Sequence, residues 1–227
     1  DVVVGADGLN SVVGRKIDLL KNRKFRIGHQ YVAKGEYDPE LFTVYFNGVK
    51  NFFGWIVPES EERARIGIVG DENIPKLFDD FLSKANIDKK DFIECQSGTI
   101  PMYDSKLKVS KDNVYLVGDA AGHVKSTTLG GIVYGMRGAK VLANVLNNGG
   151  DYNKLLKKEI GRDLLLHSKT SKFMSKFNSK DFDDFVKLLR DVDLGRFNRD
   201  KPFSGLKLFL KPNLIYFLTK QFIRRGI

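Results

Sequence analysis

Two short acidic glycine turns constrain this chain most. Gly5-Ala6-Asp7-Gly8 and Gly118-Asp119-Ala120-Ala121-Gly122 lie about 110 residues apart, and each follows an apolar strand-forming run and precedes a helical pattern. In open α/β sheets, ligands bind just beyond the carboxyl ends of the strands. Glycine lets the backbone approach a ligand closely, and a short carboxylate there can accept hydrogen bonds from sugar hydroxyls. Either turn alone reads most simply as a tight turn. Together they point to one ligand site assembled from two distant segments.

The intervening chain supplies the rest of the fold. Asp1-Val2-Val3-Val4-Gly5 suits a parallel strand covered on both faces, and it opens without methionine, so the chain is expected to be the C-terminal part of a longer protein. From residue 25 to 70 the period changes to two. Segments 29–36, 42–47, 52–57 and 64–69 are rich in Val, Ile, Phe and Tyr and are parted by turn signals, as in an antiparallel sheet. Pro75 opens a helix with Leu77, Phe78, Phe81 and Leu82 on one face. Strands are expected over 92–102 and 113–117, and a long helix from Gly131 to about Asn147. From Asp151 the pattern is helical and Lys-rich, interrupted at Pro202 and Pro212.

The expected fold class is therefore α/β, more fully α+β mixed. An incomplete Rossmann-like nucleotide-binding domain (1–24 and 113–150) is interrupted by an antiparallel β-sheet substrate domain (25–112) and followed by a C-terminal helical basic region (151–227).

Charge is distributed unevenly. Residues 1–150 hold 20 basic and 19 acidic side chains and residues 151–227 hold 18 and 9, so nine of the ten net positive charges fall in the last third. A nucleic-acid enzyme would spread its charge through the catalytic body, and no nucleic-acid partner is expected. A single cysteine, Cys95, excludes an intrachain disulfide and a cysteine-based zinc site and fits a reducing, cytoplasmic compartment. Cys95 reads as a buried strand residue. His29, His123 and His167 lack the spacing of metal ligands, and no metal is expected. His123, directly after the second acidic turn, could touch a bound ligand, but it reads most simply as a solvated or helix-capping side chain. No segment approaches the roughly 18 apolar residues of a membrane span.

Asp1-Val2-Val3-Val4-Gly5-Ala6-Asp7-Gly8 resembles the second fingerprint of FAD-dependent enzymes of the aromatic-hydroxylase superfamily, and Val114-Tyr115-Leu116-Val117-Gly118-Asp119-Ala120-Ala121-Gly122 resembles the third. Within it the details resemble the geranylgeranyl reductases. Ser11-x-Val13-Gly14-Arg15 has that family's spacing, and Phe53-Gly54-Trp55-Ile56-Val57-Pro58 is similar to its lipid-lining Tyr-x-Trp-x-Phe-Pro element. Gly98-Thr99-Ile100-Pro101 and Lys125-Ser126-Thr127-Thr128-Leu129-Gly130-Gly131-Ile132 continue the likeness, which covers roughly residues 1–165. Phe53, Val57, Lys50, Ser126 and Leu129 stand where the family commonly has Tyr, Phe, Pro, Pro and Gly. The Gly-x-Gly-x-x-Gly segment is absent.

The resemblance implies FAD as cofactor in the full-length protein, held weakly or not at all by this part. Gly5, Asp7, Gly8, Arg15, Gly118, Asp119, Ala120, Gly130, Gly131 and Ile132 would contact it. Phe53, Trp55 and Pro58 would position an isoprenoid lipid whose double bonds are reduced, with electrons from an external donor. A flavin monooxygenase or halogenase, and a non-catalytic lipid- or membrane-binding fragment, stay open as alternatives. Lys207, Lys211, Lys220, Arg224 and Arg225 flank the apolar runs 208–210 and 214–218. These runs are read chiefly as packing on the β domain, with peripheral contact to an anionic membrane as a secondary role.

Overall fold

The computed structural model describes residues 1–20, 23–46, 53–190, 192–193, 198, 200 and 210–225; the departure at Lys50 and the run 207–209 lie outside them. Contacts divide the chain into two compact units, Asp1–Lys24 with Ile100–Met174 and Phe185–Ile227, and Phe25–Thr99 with Ser175–Asp184. Residues 100–112 thus belong with the first unit, as do most of the C-terminal helices, while the short stretch 175–184 belongs with the sheet.

In the first unit, β1 (Val3–Gly5) pairs in parallel with β8 (Val114–Leu116), which pairs antiparallel with β7 (Ser110–Lys111). The register Gly5↔Leu116 continues into a bond from the Val117 N–H to the Gly5 carbonyl (3.0 Å). The opening valines are not covered on both faces: Val2, Val3 and Val4 are 50%, 48% and 43% exposed, because β1 is the edge of this three-stranded sheet. Helix α1 (Val12–Lys16) follows β1, and its Gly14 N–H donates to Ser11 Oγ (2.9 Å).

A 3₁₀ turn over Gly118–Ala121 follows β8, and α3 (Ile132–Asn148) packs on that turn with Tyr134, Gly138, Leu142 and Val145 buried, the spacing of one helical face. Then come α4 (Tyr152–Leu156), a π-helical turn over Lys157–Gly161 and α5 (Arg162–Met174). Leu116, Tyr134, Leu142, Tyr152, Ile160 and Leu164 form the core, and the Tyr152 hydroxyl donates to the Leu116 carbonyl (3.0 Å). Helices α6 (Ser179–Leu189) and α7 (Pro212–Arg225) complete the described chain.

The second unit is a five-stranded sheet in the order β3-β4-β5-β2-β6, from β2 (Phe25–Lys34), β3 (Thr43–Tyr45), β4 (Gly54–Ser60), β5 (Arg63–Gly70) and β6 (Phe92–Pro101). Alternation decides its two faces. Ala64, Ile66 and Ile68 face α2 (Ile74–Ala85), whose Phe78, Phe81 and Leu82 cover them as the helical spacing requires. Cys95 lies exposed, not buried, because β6 is an edge strand.

Candidate flavin-binding site

Because β1 and β8 are adjacent and parallel, the Asp7 and Asp119 turns leave the same end of the sheet. Their carboxylates differ in employment. Asp7 Oδ2 accepts from the N–H groups of Val12 (2.7 Å) and Val13 (3.3 Å), so it caps α1. The Ser11 hydroxyl and these amides hold the exposed Asp7 carboxyl below its usual range. Partial desolvation pushes the Asp119 carboxyl up, and it makes no side-chain hydrogen bond among the described residues.

Gly118 has φ +64° and open space where a side chain would stand, whereas a Cβ on Gly5 would lie 2.7 Å from Leu116 Cδ2. Gly118 is thus open to a ligand, and Gly5 is required by packing. Gly8, at φ +76°, turns the chain beside open space. Ala120 is fully buried in the core, and Arg15 is exposed in the last turn of α1.

The α3 glycines face the Gly118–Val124 segment. A Cβ on Gly131 would stand 2.8 Å from Asp119 Oδ1, one on Gly135 3.4 Å from Gly118 Cα, and one on Gly138 2.5 Å from His123 Cε1. Bare backbone on α3 lets the acidic turn lie directly on it. Gly131 begins the helix without a capping side chain, leaving first-turn N–H groups and the positive end of the helix dipole open. Gly130 closes the preceding loop by accepting from the Lys125 N–H (3.2 Å). Ile132, 82% exposed, and Met136, 69% exposed, form an apolar shelf one turn apart.

His123, read from sequence as solvated or capping, is fully buried. Its Nδ1 accepts from the Gly118 N–H (3.3 Å), so the proton sits on Nε2. Burial, and then the Arg23 charge, pull its pKa down to about 4. Arg23 Nη1 donates to the Asp119 carbonyl (3.2 Å). Sequence reading weighed a ligand contact for His123 and missed Arg23 and Met136. Only the i, i+4 step from Ile132 to Met136 could have signalled one of them.

In the second unit, Trp55 pairs with Gly67, and its ring occupies the space where a Gly67 Cβ would be. Trp55 Nε1 donates to Gln30 Oε1 (3.2 Å), Gln30 Nε2 to Gln96 Oε1 (2.7 Å), and Arg65 Nη1 to the same oxygen (2.7 Å). Phe53 stacks edge-on against Trp55 (5.8 Å) and lies 6.2 Å from Phe46, which stacks on Phe182 (5.1 Å). This face is aromatic at one end and polar at the other. Pro58 marks the irregularity where β4 slips against β5.

The residues of the first unit fit a flavin nucleotide. An open glycine, an unengaged carboxyl, an uncapped helix start and an apolar shelf match its hydroxyls, its anionic pyrimidine edge and its flat ring. Among the described residues no group of three or more His, Cys, Asp or Glu is placed to hold a metal ion.

No family model matches the chain. It is 28% identical over 211 residues to an uncharacterized protein of Methanocaldococcus jannaschii, covering 85% of this chain and 54% of that one. It is 25% identical over 219 residues to a digeranylgeranylglycerophospholipid reductase of Methanothrix thermoacetophila, covering 86% and 56%. The chain thus spans about half the length of these relatives.

Among solved structures, a geranylgeranyl bacteriochlorophyll reductase-like protein from Thermoplasma acidophilum superposes with TM-score 0.79 at 23% identity over 97% of this chain and 62% of that one. The fold is shared, at TM-score 0.53, with CmlS, a flavin-dependent halogenase (17% identity, 93% and 43% covered). It is shared at 0.59 with Klebsiella pneumoniae HpxO complexed with FAD (14% identity, 93% and 62% covered). In sequence the chain is similar to digeranylgeranylglycerophospholipid reductases, and it shares the fold of a geranylgeranyl reductase-like protein.

Proposed function

We propose that this chain is part of an FAD-dependent reductase that saturates carbon–carbon double bonds of isoprenoid lipids. The observation that carries the reading is the parallel pairing of β1 and β8, which sends two acidic turns, one of them laid on an uncapped helix, out of the same sheet end. Bound FAD would supply the hydride for such a reduction, its electrons coming from an external donor. Asp119 would accept from the cofactor's hydroxyls, with Gly118 giving backbone access. The first turn of α3, at Gly130, Gly131 and Ile132, would favour negative charge on the reduced ring. Asp7 and Gly5 shape the neighbouring turn rather than bind. The exposed valines of β1 fit pairing with a further strand from the part of the relatives that this chain does not span, and FAD binding by the chain alone would be weak.

Phe53 and Trp55 would hold the hydrocarbon, and Pro58 sets the strand irregularity beside them. The polar end of the same face, Gln30, Gln96 and Arg65, is the observation that favours a second reading, oxygen-dependent hydroxylation or halogenation of a more polar substrate. No described helix is long and apolar enough to cross a membrane. Helix α7 exposes Ile215, Tyr216, Phe222 and Ile223 beside Lys220, which suits peripheral contact with an anionic bilayer.

The test supplies the full-length enzyme of which this chain is part with FAD, dithionite and a digeranylgeranyl glycerophospholipid, and follows lipid mass and flavin fluorescence. A gain of two hydrogens per saturated bond, lost in Asp119→Ala together with flavin quenching, is the expected result. Oxygen insertion without saturation would support the second reading. A protein that takes up lipid but neither binds FAD nor changes the lipid would support a non-catalytic lipid-binding role.

A further inference from the structure

A second opening in the first unit owes nothing to the flavin reading. A cleft of about 310 Å³ runs between the 103–109 segment and α4 with its π-helical turn. The two walls are stapled by Asn153, whose Oδ1 accepts from the Val109 N–H (2.8 Å) and whose Nδ2 donates to Ser110 Oγ (2.6 Å). Its width is therefore fixed.

The lining is amphiphilic. Leu156, Ile160, Ala121 and the His123 ring line its floor, while Lys106 and Lys108 stand on one wall and Lys154 and Lys157 on the other. None of these four lysines has an ion-pair partner among the described residues. The single carboxylate of the lining, Asp104, is engaged in its own turn, accepting from the Lys106 N–H (2.9 Å). Four exposed lysines around one cleft give it a positive field that favours an anion.

The π-helical turn adds a local peculiarity. Such wide turns are rare and recur at functional sites. Here it sets Lys157 and bare Gly161 against Tyr103, whose hydroxyl lies 3.2 Å from where a Gly161 Cβ would be. Burial, and then Asp104, push the Tyr103 hydroxyl up, so it stays protonated and can donate.

We infer that this cleft binds a phosphate ester, its anion held by Lys106, Lys108, Lys154 and Lys157 and its organic body resting on Leu156 and Ile160. The organic body is a glycerol carrying acyl chains or a nucleoside. The chemistry shared by both is a phosphate joined to a less polar group.

Isothermal titration of the protein with inorganic phosphate, dihexanoyl phosphatidic acid and adenosine 5′-monophosphate tests this, with Lys154→Ala/Lys157→Ala and Lys106→Glu as variants. One of the two esters is expected to bind saturably and about tenfold or more tighter than inorganic phosphate, identifying the body. The double alanine variant is expected to lose about tenfold or more of that affinity. Without ligand it should melt at about the same temperature, since both lysines are exposed. Lys106→Glu on the opposite wall should lose the binding as well. Equal affinity for phosphate and both esters, no saturable binding, or binding that survives both variants would overturn the assignment.

Discussion

Acidification from pH 6.5 to 4 is expected to remove about 3 kcal/mol of folding stability through His123 alone. The imidazole is fully buried, packed on Gly138 of α3 and spending Nδ1 as acceptor for the Gly118 N–H. Protonating Nδ1 would break that bond and place a second cation near Arg23. The folded-state value of about 4 lies below the ordinary 6.5, so between those values the unfolded chain binds the proton and the folded chain does not. The contribution is complete above pH 6.5 and disappears as pH falls to 4. Asp119, held above its ordinary value by burial, works in the opposite direction at the acid end, so the comparison must be between variants rather than along one curve.

The assay is urea unfolding of the native protein and His123→Leu at half-unit steps from pH 7.5 to 4. At pH 7.5 the variant loses about 1–3 kcal/mol by leaving the Gly118 N–H without an acceptor. That deficit should shrink or reverse by pH 4. Two stability curves that stay parallel across the range would refute the buried neutral histidine.

Leu129 occupies the left-handed region at φ +55°, at a position where resembling sequences favour glycine. Leu129→Val should cost about 1–2 kcal/mol by thermal melting, and Leu129→Asn should stay within about 1 kcal/mol of the native protein. Gly131→Ala drives a methyl toward Asp119 Oδ1, 2.8 Å away, and is expected to weaken FAD at least about tenfold in a fluorescence titration while the melting temperature moves little. Trp55→Ala should impair lipid reduction far more than flavin content once circular dichroism shows the variant folded. Equal loss of both would make Trp55 an ordinary core residue.

Much of the fold was legible because it rests on local period. Alternation between residues 25 and 70 marked the sheet, and the 3.6-residue spacing of Phe78, Phe81 and Leu82 marked the buried face of α2. The two glycine-acid turns were legible for the same reason, each being a strand end read over a handful of residues. Even the glycine face of α3 was visible, since Gly131, Gly135 and Gly138 recur at helical spacing.

What lies across those elements was not visible. Asp7 and Asp119 read alike as sequence, yet one caps α1 and the other lies against Gly131, because only the packed helix supplies that neighbour. His123 looked like a loop residue until Gly138 made room for its ring. Trp55 was placed correctly on its strand, but its Gln30 partner comes from β2, beyond the intervening β5. The lysine-lined cleft joins residues about 50 positions apart through one asparagine staple. Period along the chain sets which side of an element a residue occupies. The register between strands and the packing of helices set what it meets there, and charge, burial and hydrogen bonding follow from that meeting.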